Sequence, residues 1–243
     1  GISVFSVSSS KKVTFSPGNL QYHPANKLWR FAPSQTDYIG EDNSNCSSRY
    51  NGWLDLFGWS TSSTNFGVST STSTSDYSGS FVDWGTNKIG SDAPNTWRTL
   101  TNDEWYYLLN TRTNASDLRG VAQVNGVNGL IFLPDTWTCP AGVTFKSGFH
   151  SFDGAKYYAA YQTFTANQWA KLEAAGAVFL PAAGYRHGSF VDHVQNFSSY
   201  WSATENDNND INYACDLCFY SYSAYWSGTF RYSGHSVRLV KDL

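Results

Sequence analysis

Two short phrases decide where this chain can be helical. In "TNDEWYYLLN" Thr101 stands three residues before Glu104, and in "TANQWAKLEAAG" Thr165 stands three residues before Gln168. Each is a capping box, in which the hydroxyl and the carboxylate or amide satisfy each other's backbone N–H groups at a helix start. A tryptophan follows each box at once, Trp105 and Trp169. Leu108 and Leu109 extend the first apolar face and Leu172 the second. Gly176 suits the left-handed position that stops a helix. Outside these phrases the chain reads as strand and loop. "KKVTFSPGNLQY" alternates and then turns at "SPGN", "KLWRF" resumes the alternation, and "AVFLPAAGY", "YWSAT", "YACDLCFY" and "SVRLV" follow Gly176. The expectation is an α+β class: two short helices and small antiparallel sheets in one loop-rich domain over residues 1–243.

Between Ile39 and Asp92 regular periodicity fades, and a Ser/Thr-rich run, "STSSTNFGVSTSTSTSDYSGS", lies within it. "GWLDLFGWS" before this run and "FVDWG" after it carry five large aromatics, which predicts a long loop pinned at both ends rather than a linker. Such anchors need a core, and hydrophobic residues at 41% with aromatics at 17% supply one. Charged residues are only 14% and the formal net charge is −3, which argues against nucleic acid as a partner. No apolar stretch approaches the roughly 18 residues of a membrane helix, so membrane insertion is not expected. The wealth of Ser, Thr, Tyr, Trp and Asn predicts an extracellular or cell-surface location. The start at Gly1 rather than Met is expected of a trimmed or mature form, from which a targeting segment or lipid-anchoring N-terminus has been removed.

The four cysteines, Cys46, Cys139, Cys215 and Cys218, are too few for a disulfide framework in 243 residues. Cys215 and Cys218 have Cys-x-x-Cys spacing. Tetrahedral zinc needs four ligands, and neither a second such pair nor suitably spaced histidines are present. A redox pair belongs at a helix N-terminus, whereas these flanks alternate as a strand does. A strand puts Cys215 with Leu217 and Phe219 on one face, and Cys218 with Asp216 and Tyr220 on the other. "ENDNNDIN" has oxygen ligands suited to calcium. Counted from Asn206, however, an EF-hand loop needs Gly where Ile211 stands and Glu where Leu217 stands. No hydrolase elbow, zinc-protease or phosphate-loop motif occurs. No enzyme activity, metal or cofactor is therefore expected.

Ten aromatics fall within the 33 residues from Tyr200 to Tyr232, among Ser, Asn, Asp, Ala and Gly. Tyr and Trp give large contact area at low entropic cost and the small polar residues give adaptable hydrogen bonds, the composition of a paratope. This predicts a binding surface.

The phrases "WRTLTNDEWYYLLNTR", "GVNGLIFLPDTW", "AAGAVFLPAAGYRHG", "YWSAT" and "SVRLV" occur in that order. Together they resemble a family of bacterial surface proteins with a C-type-lectin-like fold related to the formylglycine-generating enzymes. Many members are variable proteins of diversity-generating retroelements of gut bacteria and their phages. The resemblance runs from "KKVTFSPGNLQY" to nearly the end. It implies that a reverse transcriptase recopies a stretch ending near "SVRLV" with errors at adenines, turning Asn codons into any codon ending in C or T. Such codons exclude Trp, Lys, Glu, Gln and Met. From Asn206 to Ser236 only Trp226 belongs to that excluded set.

The resemblance implies fixed positions at Ala214, Leu217, Phe219, Arg231 and Gly234. Diversified, ligand-binding positions would be Asn206, Asp207, Asn208, Asp210, Asn212, Cys215, Asp216, Cys218, Tyr220, Tyr222, Tyr225, Tyr232 and His235. Trp226 joins the same face as a fixed residue, and His187, Phe190, Asp192 and His193 form an upstream cluster. The expected function is non-enzymatic recognition of a protein or glycan, on a host or neighbouring cell, by a surface within residues 187–236. Two alternatives are an oxidase of the formylglycine-generating type using Cys215 and Cys218, and a structural adhesin or pilus-associated module.

Overall fold

The computed structural model describes residues 2–61, 68–206 and 212–243. The chain is mixed α+β, with short helices and several small sheets. Its first strands are β1 (Phe5–Ser6), β2 (Lys12–Phe15), β3 (Leu20–His23) and β4 (Leu28–Phe31). Further along the chain come α1 (Asn102–Tyr106), β5 (Arg119–Val124), β6 (Val127–Phe132), α2 (Lys156–Tyr161), β7 (Thr163–Phe164) and α3 (Ala166–Ala174). The remainder is β8 (Val178–Pro181), β9 (Tyr185–His187), β10 (Phe190–Asp192), β11 (Ser198–Glu205), β12 (Tyr213–Phe219), β13 (Ala224–Phe230) and β14 (Val240–Asp242). No helix among the described residues is long and apolar enough to cross a membrane.

Both capping boxes form. Thr101 Oγ1 accepts from Glu104 N at 3.1 Å and Glu104 Oε1 accepts from Thr101 N at 2.9 Å. The Thr165–Gln168 pair repeats this at 3.2 and 2.8 Å. Trp105, Leu108 and Leu109 are buried, and α1 runs on into a π-helical turn over Tyr107–Thr111. Gly176 ends α3 at φ +107°, where an added Cβ would meet Ser3 Oγ at 2.6 Å. Among the described residues there is one α-helix more than the caps announce. α2 has no capping side chain. It is held instead by the buried Tyr158, whose hydroxyl donates to Asn196 O at 2.7 Å.

Two sheets organise the core. β7-β5-β6-β8 is built on the β5–β6 hairpin, turned by Asn125 and Gly126 at φ +48° and +80°; positive φ at both centres matches the right-handed twist of the strands. β11-β12-β13 is antiparallel throughout, with β12 in the middle. Tyr200, Leu217 and Phe219 on one face of it join Trp105 and Phe132 in the main core, while Trp201 and Ala214 on the other join Phe57, Trp59 and Trp84. The Ile39–Asp92 stretch is pinned as expected of its anchors: Phe57, Trp59 and Trp84 are buried, and Phe81 lies 5.0 Å from Trp59 and 5.6 Å from Trp84. β14 pairs with β2, bringing the two ends of the chain together.

Candidate functional site

The alternation of β12 sends Asp216 and Cys218 to one face of its sheet and Cys215, Leu217 and Phe219 to the other. Asp216 faces Trp201 of β11 and Ser227 of β13, and Cys218 faces Ser199 and Tyr225. The β9–β10 hairpin and the turn after it lie across that face. Positive φ at His193 (+59°) and Gln195 (+69°) turns the chain there. Gly184 N donates to Phe197 O at 2.8 Å and Arg186 exchanges backbone bonds with Gly234, which ties the hairpin to the segment after β13.

Between the hairpin and the sheet lies a pocket of about 360 Å³. Its walls are Tyr185, His193 and Phe197 on one side and Tyr213, Tyr220 and Phe230 on the other, with Thr229, Ser233 and His235 below. The rings brace one another: Phe197 and Tyr220 are 4.7 Å apart, Tyr213 stacks on Phe230 at 4.5 Å, and Tyr185 meets His193 at 5.4 Å. Rigid rings around a small polar floor are the usual make-up of a ligand pocket.

The floor is a buried polar network. Asp216 Oδ2 accepts a short hydrogen bond from Ser199 Oγ and another from Thr229 Oγ1 at 3.0 Å. Thr229 Oγ1 is also 3.1 Å from His235 Nε2. Burial raises the Asp216 carboxyl to about 7, against the lowering effect of its hydrogen bonds from Ser199, Thr229 and Cys218. Burial, and then the charge of Arg186, push His235 down to about 3. His235 is therefore neutral near pH 7, and its 3.8 Å approach to Asp216 is a polar contact rather than an ion pair. Cys218 donates to Asp216 Oδ1 at 3.5 Å, and burial with the adjacent carboxyl pushes its thiol well above the usual range. A thiol held protonated is a poor nucleophile. None of the four cysteines is in a disulfide. Among the described residues no group of three or more His, Cys, Asp or Glu could hold a metal ion.

Several expected display positions are floor or core instead. Cys215, Asp216, Cys218, Tyr232 and His235 are buried. β12 has its edges paired with β11 and β13, and its faces are covered too, by α1 and the core on one side and by the hairpin on the other. Cys218 does not stand exposed beside Asp216 and Tyr220; only Tyr220, past the strand end, reaches the surface in part. His187, Phe190, Tyr222 and Trp226 are exposed, and Asp192, His193, Asn206, Asn212 and Tyr225 are half-buried. Asp207, Asn208 and Asp210 lie outside the described residues.

His193, Tyr220 and His235 meet at the pocket. Tyr222 stacks on Tyr220 at 5.5 Å, and Tyr232 lies between His187 and Phe230 at 5.5 and 5.0 Å. Trp226 stands apart, edge-on to Tyr106 of α1 at 4.4 Å. Sequence reasoning did not single out Tyr185, Phe197, Thr229 or Ser233. Tyr185 carries a signal, since it shares a strand face with His187, two residues on. No local pattern points to Phe197, which comes in through a turn made by two non-glycine residues at positive φ.

No family model matches the chain, and no curated protein or solved structure matches it at a significant level.

Proposed function

We propose that this chain is a non-enzymatic recognition domain of C-type-lectin-like fold, a variable protein of a diversity-generating retroelement displayed outside the cell. Its ligand is a protein or glycan of a host or neighbouring cell. The observation that carries the reading is the aromatic pocket, where the β9–β10 segment and the β12–β13 segment, distant in sequence, supply facing walls. Tyr222, exposed and stacked on the wall residue Tyr220, extends the surface beyond the pocket, and Phe190 stands exposed at the start of β10. Asp216, Cys218 and His235 act beneath it, as a hydrogen-bonded floor that holds the walls. The protonated thiol of Cys218 and the opposite faces of the two cysteines favour recognition over a thiol-based oxidase.

The test is sequencing of the gene's neighbourhood and of sibling clones. The expected result is a near-identical repeat with adenines where the segment differs. Clones should vary at Tyr220, Tyr222 and Tyr225 while Leu217 and Phe219 stay constant. Clones that vary equally at Leu217 and Phe219, or a locus with neither repeat nor reverse transcriptase, would contradict diversification.

A further inference from the structure

Taken as the recognition site, the pocket also selects its ligand by charge. Five of its ten lining residues carry a phenyl or phenol ring. Tyr185, Phe197 and Tyr220 form a continuous run of rings, at 6.0 and 4.7 Å, and Tyr213 stacks on Phe230. Among the described residues no lysine, arginine, aspartate or glutamate side chain lines it. Arg186, whose charge reaches His235, sits on the opposite face of β9 from Tyr185 by alternation, and donates to Ser69 O at 3.2 Å and Gly188 O at 2.7 Å. Arg231 is engaged by the carbonyl groups of Tyr213 and Tyr77 and by the Trp59 ring. Carboxylates stand beside both walls. Asp192 pairs with Tyr185 across the hairpin, and after burial its charge raises the Tyr185 phenol. Burial raises the Tyr220 phenol, and Asp153 is among the charges that add to it. Asp216 lies beneath the floor, behind Thr229.

Ring faces are electron-rich and attract a cation within about 6 Å of the ring centroid. We propose that the pocket binds a quaternary ammonium ion, a trimethylammonium group at the end of a short chain. A primary ammonium fits poorly. It is strongly hydrated and brings three donors that need acceptors, whereas the walls are ring faces and the Thr229 hydroxyl is already shared between Asp216 and His235. Trimethylammonium has no donor and carries its charge behind methyl groups, so it leaves water at low cost. The volume of about 360 Å³ falls within the range of small-ligand sites, roughly 300–1,000 Å³, and takes the head group with part of its chain. Phosphocholine carried on a glycan or lipid and a trimethylated lysine of a protein share this group.

The test is a ligand-observed NMR titration of the intact chain with choline, its uncharged isostere 3,3-dimethyl-1-butanol, and ethanolamine. Choline should bind at least about tenfold more tightly than either. Phosphocholine and Nε-trimethyl-lysine, titrated in turn, should both bind, and the tighter of the two identifies the source of the group. Tyr220→Leu with Phe230→Leu keeps the walls apolar but removes two ring faces. It should weaken choline by about tenfold while cooperative urea unfolding is retained. The ligand series is read on the unmodified chain and decides the matter even if that variant does not fold. Choline that does not bind, an uncharged isostere that binds as tightly, or a folded variant with undiminished affinity for choline would each overturn the proposal. If choline fails while a glycan or protein ligand binds and is lost with the pocket rings, the proposal falls and the recognition reading stands.

Discussion

Asp216 and His235 reach the same hydroxyl, Thr229 Oγ1, and burial moves their proton affinities in opposite directions. The folded chain holds the Asp216 proton more tightly than the unfolded chain does. Stability from this group is complete below about pH 4 and is lost as pH rises to about 7, by roughly 4 kcal/mol. Asp55, raised by burial to about 6, acts in the same sense. The folded chain binds the His235 proton less tightly. Stability from it is present above about pH 6.5 and is lost as pH falls towards 3, by a similar amount. In the wild type these slopes oppose each other. Urea denaturation of Asp216→Asn at about pH 5 and 7.5 should show stability rising with pH relative to wild type, by roughly 2 kcal/mol. His235→Gln should tilt the other way. Parallel curves for all three proteins would contradict the network. The cysteines give a second check. A thiol reagent should titrate Cys139 at once and the buried Cys46, Cys215 and Cys218 only after denaturation. Three fast-reacting thiols, Cys139 with both Cys215 and Cys218, would restore the redox pair as a live reading.

At the scale of elements, short strands and long loops are held by buried arginines that bind carbonyl groups. Arg238 donates to Ser16 O, Phe179 O and Gln35 Oε1. Arg231 donates to Tyr213 O and Tyr77 O and lies over the Trp59 ring at 4.4 Å. Arg238→Met strips several buried acceptors of their donor and should cost at least about 3 kcal/mol in denaturant unfolding. Thr165→Ala removes one cap and should cost only about 1 kcal/mol. Equal losses would mean that Arg238 is not the cross-link its contacts describe. What was legible in the sequence follows the same division. α1 and α3 could be read because their caps are local. α2 could not, because it depends on Tyr158 reaching Asn196, far along the chain. The alternation of β12 correctly divided its side chains between two faces. It could not tell that both faces are covered, since the cover comes from the Tyr185–Phe197 segment and from α1.

At the scale of the whole molecule, the aromatic enrichment near the C-terminus serves two ends. Tyr200, Trp201 and Phe219 build core, while Tyr220, Tyr222 and Trp226 reach the surface in whole or in part. Composition alone cannot separate them; position relative to the end of β12 does. On the proposed reading the recognition face is narrower than the span of residues 187–236, and it centres on the pocket and the exposed ring of Tyr222 beside it. The most direct test is binding of the labelled chain to arrays of glycans and cell-surface proteins, compared with a variant carrying Phe190→Ser, Tyr220→Ser and Tyr222→Ser together. The account predicts at least one ligand for the wild type, its loss by tenfold or more (about 1.4 kcal/mol) in the variant, and a far-UV spectrum and cooperative urea unfolding retained in the variant. A folded variant that holds the same ligand with undiminished affinity would contradict it.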